Sequence, residues 1–233
     1  MRKFKIFILF ISTLTLVTCK NGNNDFNSGR IEYDITYPCL KKNHESLLFL
    51  LPKKMIMTFN ENQYENEFIF PTKGSSLGLV NDCNIKNVKL IFGLGNNKKY
   101  TSLDSNSIYY LLDNLPKYEI LESENVSFNY LDVECKELEV QSLKNDSTYK
   151  IKVAQNIEIK DVNWCTPFHE IEKVLLEYSI EQYGMEMHFS ATQISKGFTT
   201  KEFNTLGKEY LFLETKKYLT EIKSMLSIFK CID

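Results

Sequence analysis

The sequence predicts a mainly β fold (α+β): a long curved antiparallel sheet, a half-barrel-like meander, carrying a C-terminal amphipathic helix. Three observations predict it. Segment after segment alternates apolar and polar residues with period 2. Short clusters of Asn, Gly and Glu punctuate those segments as turns. Near the end of the chain the apolar period lengthens to that of a helix.

The elements follow in order. In "IEYDITY" Ile31, Tyr33, Ile35 and Tyr37 face one way and Glu32, Asp34 and Thr36 the other, the pattern of a half-buried strand. "KMIMTF" puts Met55, Met57 and Phe59 on one face, and "NENQ" at 60–63 turns it into a hairpin with "YENEFIF". "VKLIFGL" aligns Val88, Leu90, Phe92 and Leu94 before "GNN" breaks it. Around "VECKELEV" the phase slips, with Val133 and Cys135 on odd positions and Leu138 and Val140 on even ones, which predicts a β-bulge near Lys136–Glu137. "YKIKV" gives Tyr149, Ile151 and Val153, and "VLLEYSI" gives Val174, Leu176, Tyr178 and Ile180. Gln182, Tyr183 and Gly184 then turn the chain into "MEMHFSA", where Met185, Met187, Phe189 and Ala191 share a face. The closing helix is expected over about 206–229, with Tyr218, Ile222, Met225, Leu226 and Phe229 as its apolar stripe. Those residues are bulky enough to plug the concave face of the sheet, and a plug is the expectation.

The start of the chain carries a different signal. Arg2, Lys3 and Lys5 form a basic region, followed by the uncharged run "IFILFISTLTLV" from Ile6 to Val17. That run is shorter than the roughly 20 residues of a membrane-spanning helix and suits a secretory signal. "LVTC" then resembles the lipobox of bacterial lipoproteins, with Thr18 where a smaller residue is commoner, and implies lipid attachment at Cys19. Residues 1–18 read as the signal peptide, 19–29 as the lipidated cysteine and a flexible Asn/Gly/Ser tether, and 30–233 as a single β-rich domain. Lys20 in place of Asp favours an outer-membrane address within the cell envelope.

The charge balance narrows the partners. The three signal cations leave with the signal, so 28 basic residues become 25 against 30 acidic, a net of −5. That sign argues against nucleic acid and against electrostatic binding to anionic lipid. The membrane is expected as a partner through the lipid on Cys19 alone. Cys39, Cys83, Cys135, Cys165 and Cys231 have wide spacings and no CxxC, so neither a zinc knuckle nor a redox pair is indicated, and their connectivity stays open.

Enzyme signals are sparse. His188 lies on the polar side of its strand and His44 in a loop. Cys165, His169, Glu170 and Glu172 cluster in "CTPFHEIE", but their spacing fits no metal site and a structural role is expected. No GxSxG, HExxH or phosphate loop occurs. The expectation is a non-enzymatic protein without metal or cofactor, acting as an interaction or scaffold module toward an envelope protein. The alternative is a carrier or binder of a lipid or other apolar ligand, with Met55, Met57, Phe59, Phe92, Met185, Met187 and Phe189 as contacts.

Residues 126–203 resemble a family of Bacteroidota envelope proteins of unknown function, the GLPGLI-type and related lipoproteins. "DVECKEL" matches the family's Gly-Tyr-x-Cys-Lys-Lys-Ala strand through Cys135 and Lys136, with Asp132 replacing Gly and Leu138 replacing Ala. Trp164 and Pro167 match its middle, Leu176, Glu177 and Tyr178 its next strand, and Met187 and Ala191 its final hairpin. "GRIEYDITY" resembles its first strand, whereas residues 72–125 match nothing in it. The resemblance implies an envelope lipoprotein with a curved half-barrel like that of the lipoprotein carriers and the mycobacterial glycolipid-binding lipoproteins. It implies no activity.

Overall fold

The computed structural model describes residues 25–43, 45–113, 115–121, 126–197, 203 and 206–230. The segment expected to be an export signal, Cys19, His44 and Cys231 lie outside them. One long curved sheet of 13 strands forms the molecule. It joins two meanders. The first contains β1 (Ser28–Thr36), β2 (Lys54–Asn60), β3 (Gln63–Ile69), β4 (Ser75–Asp82), β5 (Asn87–Leu94) and β6 (Asn97–Asp104), each antiparallel to the next. The second contains β7 (Tyr118–Leu121), β8 (Ser127–Tyr130), β9 (Val133–Ser142), β10 (Thr148–Ala154), β11 (Leu175–Gln182) and β12 (Met185–Lys196). Here β9 to β12 pair in sequence, while β7 and β8 lie one after the other along the outer side of β9. The meanders meet where β1 runs antiparallel to β12.

Turn chemistry holds these registers. Asn60 pairs with Gln63 across a two-residue turn in which Glu61 takes φ 53°. Between β11 and β12 both central residues have positive φ, Tyr183 at 55° and Gly184 at 81°, the geometry whose twist matches antiparallel strands. Glu32 pairs with Gln193 but Tyr33 with Ala191, so Thr192 is the extra residue of a bulge in β12. Past it the inward face moves from the odd positions up to Ala191 to Ile194.

Two sequence expectations need correction. The first is the bulge near Lys136–Glu137. Against β10 the register of β9 runs unbroken from Gln141 to Cys135. The phase slips because β9 buries opposite faces at its two ends: Val133 and Cys135 pack into the main core, Val140 into a second cluster with Ile151, Val153, Phe168 and Leu175. The irregularity lies one strand over, between Lys152 and Val153 opposite β11.

The second is the helix start. Residues 210–212 form β13 (Tyr210–Phe212), a short strand parallel to β6 at the sheet edge. Besides the short helices α1 (Pro38–Asn43) and α2 (Tyr109–Leu112), the described residues form one longer helix, α3 (Thr215–Leu226), ending in a 3-10 turn over Ser227–Phe229. Glu214 caps α3, its carboxylate accepting from the Lys217 N–H at 3.2 Å. The edge of β6 offers backbone groups that residues 210–212 pair with, and satisfying them outweighs starting the helix near 206. Among the described residues no helix is long and apolar enough to cross a membrane.

Between β10 and β11 the chain forms a strap, residues 155–174, without a strand of its own. It ties the meanders together. Tyr64 of β3 donates its hydroxyl to Val162 O at 2.9 Å, and the Trp164 indole donates to Asn81 Oδ1 of β4 at 2.8 Å. Phe168 stacks on Tyr118 of β7 at 4.9 Å.

Candidate functional site

Cross-strand pairing arranges the inner face into rows. One row runs Phe59, Tyr64, Asn81, Val88, Leu103, and every member is buried. The next runs Met57, Asn66, Leu79, Leu90, and a third runs Tyr33, Met55, Phe68, Leu77, Phe92. In these two rows Asn66, Phe68, Leu77, Leu79, Leu90 and Phe92 are only half-buried. The space they face is an apolar cavity of about 570 Å³.

The cavity has three walls. The sheet supplies the rows above together with Tyr178, Ile180, Met185, Met187 and Phe189 of β11 and β12. The strap supplies Val162, Cys165 and Phe168. The third wall is α3 with its 3-10 turn, through Tyr218, Ile222, Met225, Leu226 and Phe229. The helix is fastened at its start, where Leu213 N–H donates to Tyr100 O at 2.8 Å and the Thr101 and Thr215 hydroxyls lie 3.2 Å apart. Lys99 and Glu221 add an ion pair at 2.5 Å. The expected plug is therefore partial: α3 packs its stripe on Leu90 and Phe92, and a cavity remains beside them. The cavity lies within the roughly 300–1,000 Å³ range of small-molecule sites.

Of the seven contacts expected from the sequence, Met55, Met57, Phe92, Met185, Met187 and Phe189 line this cavity. Phe59 does not. It sits one row beyond, 0 % exposed, with its ring 6.0 Å from that of Phe26, where side chains fill all the space. The strap residues and the helical wall were not named as contacts. Their signal was present, since the helical stripe faces whatever the sheet leaves open, but a strap that crosses from one meander to the other has no local pattern.

Polar groups in the lining are mostly occupied. Tyr33 donates to Leu175 O and Tyr37 to Pro52 O, both at 2.8 Å. The Asn163 amide donates to Ile171 O and Lys173 O. Asn66 differs: its Oδ1 is buried and has no hydrogen-bond partner. Among the described residues, no Asp, Glu, Lys, Arg or His lines the cavity.

The cysteines behave as small hydrophobes. Cys83, Cys135 and Cys165 are free and buried, whereas Cys39 is disulfide-bonded. Burial pushes the Cys135 thiol up to about 11 and those of Cys83 and Cys165 up to about 12, so all three are protonated and unreactive at neutral pH. Cys135 sits beside Val133, donating to its carbonyl at 3.4 Å. The "CTPFHEIE" cluster is divided by the strap's path: Cys165 points inward and accepts from the Asn81 amide, while His169, Glu170 and Glu172 are exposed. Among the described residues no three His, Cys, Asp or Glu gather as a metal site would require. His188 is half-buried on the outer face, 3.1 Å from Ser179 Oγ.

No family model matches the sequence, and no similar curated protein is found. Among solved structures, one of PNGF-II aligns with a TM-score of 0.51 at 13% identity, over 84% of this chain and 33% of that one. The chain spans about a third of that protein's length, and the likeness is one of fold.

Proposed function

We propose that this chain is a non-enzymatic binder of an apolar ligand, held between the inner face of the sheet and α3. The observation that supports the reading is the cavity of about 570 Å³ with no charged side chain among its described lining residues. Burying an apolar surface there returns roughly 25 cal/mol per Å². The methionines at 55, 57, 185, 187 and 225 adapt to an irregular guest at small cost. Tethering through a lipid on Cys19 in a bacterial envelope, as the lipobox and the GLPGLI-type resemblance imply, would hold such a binder beside a source of apolar molecules.

The interaction-module reading has its own support. Leu211 and Phe212 are 61% and 55% exposed on the edge strand β13, a surface an envelope partner could cover.

A neutral apolar dye, N-phenyl-1-naphthylamine, separates the two. The purified chain is expected to bind about one equivalent with a fluorescence increase. Met187→Trp, which fills the cavity from the half-buried wall, is expected to weaken that binding at least tenfold while keeping the thermal transition. Dye binding unchanged by that substitution, or absent in the wild type, would favour the interaction module.

A further inference from the structure

We infer that the end of the sheet carrying Phe49, Ile69 and Leu94 docks on an anionic lipid bilayer, from which the cavity exchanges its guest. The exchange rests on the apolar-binder reading; the docking rests on this surface alone. Among the described residues that line the cavity, Thr72 and Leu94 are the exposed ones, so the cavity comes to the surface beside them. Both sit at one end of the sheet. Leu94 pairs with Ser75 where β5 ends and β4 begins, and the Gly95 N–H donates to Gly74 O at 2.7 Å, joining two loops into one lip. Leu90, Phe92 and Leu94 follow one another along the inner face of β5. The α3 stripe packs on the first two, and Leu94 extends past it, 60% exposed. Ile69, exposed opposite Lys54, ends β3 on the same side. Phe49, 58% exposed, lies in the 3-10 turn Glu45–Leu50, which leads into the lining residues Leu51 and Pro52.

A single exposed apolar side chain is ordinary, but several around an apolar opening mark a contact surface. Charge selects the occupant. Lys53, whose N–H donates to Ile69 O, and Lys73, next to Thr72, are exposed and have no acidic partner among the described residues. Asp34 and Glu209, at the same end, already face Lys54 and Lys98. Cations beside apolar tips suit the boundary between anionic headgroups and acyl chains. The chain as a whole holds more acid than base, so this attraction is local. A lipid on Cys19 permits the orientation. β1 enters at the opposite end, where Ser28 pairs with Asn60, and residues 19–27 span about 30 Å when extended, the length of β1 itself.

Tryptophan quenching in the purified full chain by vesicles of phosphatidylglycerol and dibrominated phosphatidylcholine tests this. Leu94→Trp reports on the opening, and Ile85→Trp on an exposed turn at the tether's end of the sheet. The native Trp164 is buried and gives the background. At a depth of about 5–10 Å, Leu94→Trp should shift to the blue and lose roughly half its added emission, while Ile85→Trp should change little. Should Leu94→Trp fail to fold, Phe49→Trp gives the same reading. Adding Lys53→Gln and Lys73→Gln should weaken docking roughly thirtyfold, the scale of two lysines at an anionic surface, and salt should weaken it likewise. Equal quenching at both ends, quenching at Ile85→Trp alone, or none at either overturns the docking. Quenching at Leu94→Trp that ignores both lysines and salt overturns the anionic partner. No dye enters this experiment, so its failure leaves the apolar-binder reading standing. A chain that docks but binds no dye loses that reading, and the guest exchange with it.

Discussion

The packed and hollow ends of the inner face lie one row apart and are built from the same alternation. At the packed end Phe59, Val88 and Leu103 are buried, and the strap adds Trp164 against Asn81. At the hollow end Phe68, Leu77 and Leu79 are no smaller, yet they stay half-buried, and α3 packs instead on Leu90 and Phe92 at one side of the cavity. The strap bonds to Tyr64 and Asn81 along the sheet, whereas α3 is fastened at its start to β6 and packs on Leu90 and Phe92. Alternation decides which face turns inward. The position of the opposite wall decides whether that face becomes core or cavity.

The largest expected effect contrasts two phenylalanines. Phe59→Ala removes a ring from a filled space and should cost about 3–5 kcal/mol in urea denaturation. Phe92→Ala truncates a half-buried ring that packs on α3 beside an existing space and should cost less, about 1–2 kcal/mol. Equal costs would mean that the two ends are equally well packed.

The two asparagines give the next contrast. Asn81 accepts from the Trp164 indole and donates to Cys165, so Asn81→Leu leaves a buried indole N–H unpaired, costing about 1–3 kcal/mol. Asn66→Leu removes an acceptor that has no partner and should be neutral or stabilising in the ligand-free protein. Thermal unfolding of both variants checks the sign of the difference. Comparable destabilisation would place Asn66 in a satisfied network.

Much of this was legible in the sequence. Strands β1, β2, β3, β5, β10, β11 and β12 announce themselves by period 2, and the stripe from Tyr218 to Phe229 announces a helix that must be covered. What local pattern could not carry was distance. Phe59 and Met57 look alike in "KMIMTF", but Phe59 packs against Phe26, which is remote in sequence, while Met57 faces the cavity. The phase slip at Cys135 read as a bulge because a strand that buries one face at each end leaves the same trace. Residues 210–212 joined the sheet through β6, more than a hundred residues earlier, and the helix therefore begins at Thr215.

The smallest expected effect concerns the wall that separates the two ends in kind. If α3 is a cover over a cavity, it must move from the sheet for a guest to pass, and the Lys99–Glu221 pair joins it to β6. The side chains are 20% and 33% exposed, so water screens the pair in part and its contribution to stability should stay below about 1 kcal/mol. Glu221→Gln keeps the shape and removes the charge. It should therefore leave the urea midpoint almost unchanged while speeding dye uptake in stopped-flow measurements, because opening breaks an interaction that the closed state alone enjoys. Raising salt should speed the wild type toward the variant and leave the variant unaffected. Uptake that is equally fast in both proteins at low salt would show that guests pass elsewhere, past the strap or the sheet edge, and that α3 is a fixed wall.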